Sequence, residues 1–190
     1  GNFMGTWDQV LCNALREEYD ADVALSAGVR WGTTTLEGDW ITMEDVMTQC
    51  SMTYGETYVS EMTGHDLLNI LEQVADNLFD PDPYLQSGGD MVRIGGLDYT
   101  IDPSKPLYER ITDARLDNGH LIEADQKYKV AGWAQVNRTP EGRLMWDVVR
   151  DYIVNNKSKD NVLRLKKINH PKLVGVMKDP GIADYPGEAS

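Results

Sequence analysis

With 190 residues, 41% of them apolar and 26% charged, the chain can bury one core and has the make-up of an ordinary globular domain. A formal net charge of −13 argues against a nucleic-acid partner, because phosphate backbones demand clustered Lys and Arg. No run approaches the roughly 20 apolar residues of a membrane-spanning helix, and two cysteines, Cys12 and Cys50, make no disulfide framework. Residues 151–190 hold seven Lys and Arg against five Asp and Glu, so residues 1–150 hold eleven against twenty-six. Such a body repels free anions, and any anion site on it must be local and desolvated. The chain opens on Gly1 with neither initiator Met nor signal peptide, which reads as a fragment or a processed chain.

In chain order, Thr6 is the expected cap of a helix from Trp7 to about Tyr19, with Trp7, Val10, Leu11, Ala14 and Leu15 on its apolar side. Val23 to Ala27 reads as a buried strand, followed by the Gly-bracketed loop Ser26–Gly32. Thr42 with Asp45 three residues on predicts a capping box and a second helix with Val46, Met47 and Cys50 inward. Thr57 to Met62 alternates as a strand, and Thr63 with Asp66 caps the clearest helix, through Leu67, Ile70, Leu71, Val74 and Leu78. Asp80-Pro81-Asp82-Pro83 stops it. Strands are expected at Met91–Ile94 and Leu97–Ile101, a hairpin turn at Asn118-Gly119, and another strand at Lys127–Val130. Thr139-Pro140-Glu141 starts a helix whose inward residues are Met145, Val148, Val149, Tyr152 and Ile153. Val162–Leu165 is the one strand expected in the last forty residues, within an extension (156–190) that wraps the domain formed by 1–155. Helices and strands alternate throughout, which predicts mixed α/β layers and neither a bundle nor a sandwich.

The chemistry-bearing patterns are few. His65, His120 and His170 lie about fifty residues apart, without the local spacings of a metal site. There is no Gly-x-Ser-x-Gly elbow, no GxGxxG and no Walker loop. What stands out is three loops that pair glycine with an aromatic or an arginine: Ser26–Gly32 with Arg30 and Trp31, Thr53–Thr57 with Tyr54, Gly55 and Glu56, and Gly132–Arg138 with Trp133, Asn137 and Arg138. Converging, they would make an aromatic-walled slot with Arg30 and Arg138 offering planar forks to an oxyanion. The alternative is that Tyr54 and Trp133 are core rings flanked by turns, and that Arg30 merely covers Trp31.

These loops, in this order, resemble the C-terminal substrate-binding domain of the 5′-nucleotidase family. Asp22 to Arg30 resembles its strand and Asn-Gly-Gly-Gly-Ile-Arg loop, and Tyr54-Gly55-Glu56-Thr57 its Pro-Phe-Gly-Asn/Gly-Thr segment. Met62-Thr63-Gly64-His65-Asp66-Leu67, Gln86-Ser87-Gly88-Gly89 and Tyr128-Lys129-Val130-Ala131 resemble further motifs, the last preceding the family's second base-stacking aromatic, near Trp133. The triple glycine and its asparagine are replaced by Ser26-Ala27-Gly28, and the family's Gly-Gly-Asp-Gly loop is missing. With those departures, Ser26–Gly32, Gly1–Asp8, Gly88–Leu97 and Pro171-Lys172-Leu173 are similar to the thiosulfohydrolase (SoxB) branch.

The resemblance implies the family's layered α/β/β/α fold. It implies a periplasmic hydrolase that releases sulfate from a cysteine-bound thiosulfonate on the SoxYZ carrier protein. A dinuclear manganese centre would sit in an N-terminal metallophosphatase domain that this chain lacks, so the chain itself is expected to be inactive and to carry no catalytic or metal-binding residue. Substrate contacts would come from Arg30, Trp31, Tyr54, Gly55, Glu56, Trp133, Asn137 and Arg138. A nucleotide-binding module of the same fold is the first alternative, and a non-enzymatic protein-interaction module the second.

Overall fold

The computed structural model describes residues 3–28, 34–51, 54–135 and 142–175. Helix α1 spans Thr6–Tyr19 and strand β1 Val23–Ser26; helix α2 (Met43–Gln49), strand β2 (Thr57–Thr63) and helix α3 (Gly64–Phe79) follow. Strands β3 (Arg93–Gly95), β4 (Leu97–Ile101), β5 (Ile111–Leu116) and β6 (Lys127–Trp133) precede helix α4 (Met145–Asn156) and the short strand β7 (Lys172–Leu173). One sheet is ordered β2-β6-β1-β3, and a smaller one β5-β4-β7. In the larger sheet β1 and β6 run parallel, while β2 and β3 flank them antiparallel.

The alternation of side chains along each strand sorts two cores. Ala24, Ala131 and Trp133 face α1, α2 and α4, joining Leu11, Leu15, Val46, Met145 and Val149 in one cluster. Val23, Leu25, Tyr128 and Val130 face the other way, toward Leu67, Leu71 and Ala75 of α3 and Leu97, Tyr99 and Ile101 of β4. The result is the expected layered mixture of helices and sheets. Gly95 permits a close contact between layers: a Cβ there would lie 2.5 Å from Cys12 Cβ, so α1 rests on the strand backbone itself.

Both capping boxes form as expected, Thr42 with Asp45 and Thr63 with Asp66. Four expectations are corrected. Gly5, not Thr6, is the N-cap of α1, because Gln9 N–H already bonds to Gly5 O at 3.0 Å and the helix starts one residue earlier. Met47 is exposed: one helical turn from Met43, it lies at the margin of the stripe that buries Val46 and Cys50, and Gln49 is the buried polar residue. Strand β6 continues past Val130 to Trp133, because β2 pairs with it along its whole length, from Thr63↔Lys127 to Thr57↔Trp133. Val162–Leu165 is not a strand. Ser158 N–H bonds to Val162 O at 3.0 Å to close a turn, and Leu163 and Leu165 pack on the first core without a ladder. Thr139-Pro140-Glu141 lies outside the described residues; the helix that follows begins at Met145, with Leu144 as its N-cap and no side-chain cap.

Candidate functional site

Register brings the three sequence-predicted loops to one end of one sheet. Leu25 lies opposite Gly132 in the parallel pair, Ser26 opposite Arg93, and Thr57 opposite Trp133. The ends of β1 and β6 and the starts of β2 and β3 therefore share an edge, and α1 contributes Asp8 of its first turn there. Crevices outside the carboxyl ends of parallel strands are where ligands bind on such sheets. Arg30, Trp31, Asn137 and Arg138 lie outside the described residues, so the edge is built here from the residues that anchor their loops.

Trp133 is 5% exposed and part of the first core. Its indole N–H donates to Ser26 Oγ at 2.7 Å, while that hydroxyl donates to Ala27 O at 2.9 Å. A buried indole needs such an acceptor, and Ser26 supplies it from the neighbouring strand. Tyr54, by contrast, is 44% exposed at the same edge. Gly55 between them is fixed from behind: its carbonyl accepts from Met145 N–H at 2.7 Å, and a Cβ on it would lie 2.5 Å from Trp146 Cζ3. Glu56 is half-buried and bridges to Leu144, and Thr57 N–H donates to Arg143 O at 2.9 Å. The outer edge of β2 is thus closed at its start by residues 143–145.

Sequence reasoning missed the most buried ionic group at this edge. Arg93 is 2% exposed; its Nε lies 3.1 Å from Asp8 Oδ2, one Nη lies 3.6 Å from Asp90 Oδ2, and the other donates to Met91 O at 2.7 Å. Gly28 lies against this guanidinium, since a Cβ there would meet Arg93 Nη2 at 2.7 Å. A signal was available. Asp8, Leu11 and Leu15 fall on one helical face, and a carboxylate on an apolar face asks for a buried cation. Among the described residues no group of three or more His, Cys, Asp and Glu side chains is arranged to hold a metal ion.

Residues 5–138, most of the chain, match the family profile of the 5′-nucleotidase C-terminal domain. The chain belongs to that family. The family domain is a substrate-binding one, and its relatives of known structure are hydrolases. Among them is Thermus thermophilus sulfate thiohydrolase SoxB, solved with glycerol, which is 29% identical over 90% of this chain with a TM-score of 0.78. A putative 5′-nucleotidase from Staphylococcus aureus, in complex with alpha-ketoglutarate, is 18% identical over 90% of the chain with a TM-score of 0.68. A 5′-nucleotidase precursor, also from Thermus thermophilus, is 16% identical over 90%, at 0.67. The two nucleotidases share the fold. The chain spans only 32%, 37% and 35% of these three structures, about a third of each. No curated protein matches the chain. Among the described residues no helix is long and apolar enough to cross a membrane.

Proposed function

We propose that this domain binds substrate for a periplasmic thiosulfohydrolase, acting on a thiosulfonate carried by a cysteine of the SoxYZ carrier protein. The observation that carries this reading is the difference in likeness: 29% identity and a TM-score of 0.78 to the sulfate thiohydrolase, against 18% and 16% for the nucleotidases over the same 90% of the chain. The local chemistry supports it. Ser26-Ala27-Gly28 stands where the nucleotidase motif has an asparagine and three glycines, and the space beside Gly28 is taken by Arg93. Glu56 would repel a nucleotide's phosphates but accepts backbone N–H groups from a thin glycine-rich arm.

In this reading Tyr54, Gly55 and Glu56 form one wall of a slot, with Trp31, Asn137 and Arg138 contributing from the neighbouring loops. Trp133 backs the slot from the core, with its polar N–H spent on Ser26. Arg30 faces the terminal sulfonate, where negative charge grows as sulfate departs. Hydrolysis adds water across the S–S bond, releasing sulfate and leaving the other sulfur protonated on the carrier's cysteine. In this reading the dinuclear manganese that would support such hydrolysis is held by an N-terminal metallophosphatase domain of the intact protein.

Titration calorimetry on this chain tests the reading. A glycine-rich peptide with a thiosulfonated cysteine is expected to bind saturably and AMP is not; AMP binding with peptide silence would install the nucleotidase reading instead. In the intact enzyme, Arg30→Ala is expected to slow release of sulfate from the loaded carrier.

A further inference from the structure

Thr57 opens β2 directly after the Tyr54–Glu56 wall and is 1% exposed. Three other elements meet on it. Across the sheet it pairs with Trp133, the last residue of β6. From the other side Arg143, just ahead of α4, offers its carbonyl to two donors: the Thr57 N–H at 2.9 Å and the Thr57 hydroxyl at 2.7 Å. A hydroxyl has one proton to give. With that proton on Arg143 O, the phenol of Tyr19, which ends α1, is the donor in its own hydrogen bond to Thr57 Oγ1. Gly142 completes the node: a Cβ on it would lie 2.1 Å from Thr57 O, so the chain returns against β2 with no room for a side chain. The connection from β6 to α4 thus leaves beside Thr57, turning through Ala134 at φ 60°, and comes back to Thr57 at Gly142 and Arg143.

We infer that Thr57 is a positioning residue for substrate: its hydroxyl ties the end of α1 to the entry of α4, and through that entry sets where Tyr54 and Glu56 stand. The inference rests on the reading of Tyr54, Gly55 and Glu56 as a wall that meets the carrier's arm. The ladder between β2 and β6 begins at Thr57, so the wall lies beyond it. What holds the wall's backbone is the entry of α4: Gly55 O accepts from Met145 N–H at 2.7 Å, and Glu56 bridges to Leu144. That entry is fixed in turn at Arg143, whose carbonyl sits on Thr57 and whose guanidinium pairs with Glu18 at 2.9 Å and with Asp151. Serine keeps the hydroxyl and valine keeps the shape, so the two separate the bond from the packing. Valine also leaves Arg143 O its bond from the N–H of residue 57, and the half-buried Tyr19 phenol can turn to water. No buried carbonyl is stranded, and the valine variant is expected to fold.

Steady-state kinetics of the full-length enzyme on the loaded carrier test this. Thr57→Val is expected to raise KM about three- to tenfold, the worth of one or two hydrogen bonds. Its kcat should stay at the wild-type value, because the wall grips the arm and not the departing sulfonate. Thr57→Ser should restore KM to within about twofold of wild type. Tyr19→Phe removes only the link to α1 and should raise KM less than Thr57→Val does. A merely structural hydroxyl would lower the melting temperature of Thr57→Val and leave its KM unchanged, which overturns the inference. A serine variant with the KM of the valine one overturns it too, since the methyl packing would then be the cause. Should Thr57→Val fail to fold, Tyr19→Phe decides: a raised KM supports the inference and an unchanged one ends it. Wild-type enzyme that does not turn over the loaded carrier sinks the underlying reading and this inference together, whereas wild-type turnover with unchanged variants sinks the inference alone.

Discussion

Trp133 and Ser26 end the two parallel strands side by side, and the indole N–H reaches the serine hydroxyl at 2.7 Å. This bond ties the last turn of the core to the first residue of the arginine loop. Trp133→Phe keeps an aromatic ring but removes the donor and part of the indole, so it is expected to cost about 1–3 kcal/mol and to lower the melting temperature by about 2–4 °C per kcal/mol. Trp133→Ala, at a site only 5% exposed, should cost about 3–5 kcal/mol. Calorimetric melts of both variants check this. It follows that Phe, not Ala, is the substitution with which to ask whether the ring also meets substrate.

Asp8 and Arg93 form an ion pair whose side chains are 5% and 2% exposed. Asp8→Asn takes the nearest counter-charge from the buried guanidinium and leaves it the longer contact with Asp90, so it is expected to destabilise by about 3 kcal/mol. The double change Asp8→Leu/Arg93→Met removes both charges and should recover most of that loss. Urea unfolding of Asp8→Leu, Arg93→Met and the double variant reads the coupling directly. Additive losses would show that the pair is not the unit that holds Gly28 and its loop.

How much of this was legible in the sequence depended on how local the cause was. The Thr42–Asp45 and Thr63–Asp66 boxes lie within four residues and were readable as they stand. So was the inward row of α4. Trp133 was not. Whether it ends a strand or starts a loop is decided by Thr57, which pairs with it from seventy-six positions away. Arg93 looked like an ordinary strand residue because its partners, Asp8 and Gly28, come from two other elements. Val162–Leu165 has a strand's alternation, yet its alternate residues Leu163 and Leu165 pack half-buried on the first core, and its backbone joins no ladder. Of the site, the sequence supplied the three loops, and the register places the strand ends that carry them on one edge.

Gly55 is held where no larger residue fits. A Cβ would stand 2.5 Å from Trp146 Cζ3 and 2.8 Å from its Cη2. Trp146 must then turn or the wall carrying Tyr54 must shift, and overpacking of this kind costs about 1–3 kcal/mol. Gly55→Ala is therefore expected to melt lower and to weaken binding of the thiosulfonated peptide. A variant that melts like wild type, with binding intact, would show that the wall is less constrained than its contacts indicate.

The two capping boxes set an acid limit. Thr42 holds the Asp45 carboxyl below its ordinary range by donating its side-chain hydroxyl and then its backbone N–H, and Thr63 does the same for Asp66. A carboxyl whose folded pKa is depressed contributes stability that is complete above its unfolded value, about 3.9, and is lost as pH falls through the folded one. The double variant Asp45→Asn/Asp66→Asn should accordingly melt below wild type at pH 7. The gap should close as pH drops below about 4. A gap that stays constant to pH 2.5 would mean that the ionised carboxylates add nothing beyond their hydrogen bonds.

Cys12 and Cys50 are free thiols buried in the first core, 0% and 1% exposed. Burial pushes the Cys50 thiol up to about 12, and burial together with the nearby Asp8 carboxylate pushes Cys12 higher still. The thiolate is the reactive form, so neither should attack a disulfide reagent at pH 8 while the chain is folded. In denaturant both return toward an ordinary pKa of about 8.5 and react. Ellman titration should find no fast thiol in the native chain and two after unfolding, without reductant. One fast native thiol would place a cysteine at the surface; fewer than two after unfolding would reveal a disulfide that the structure lacks.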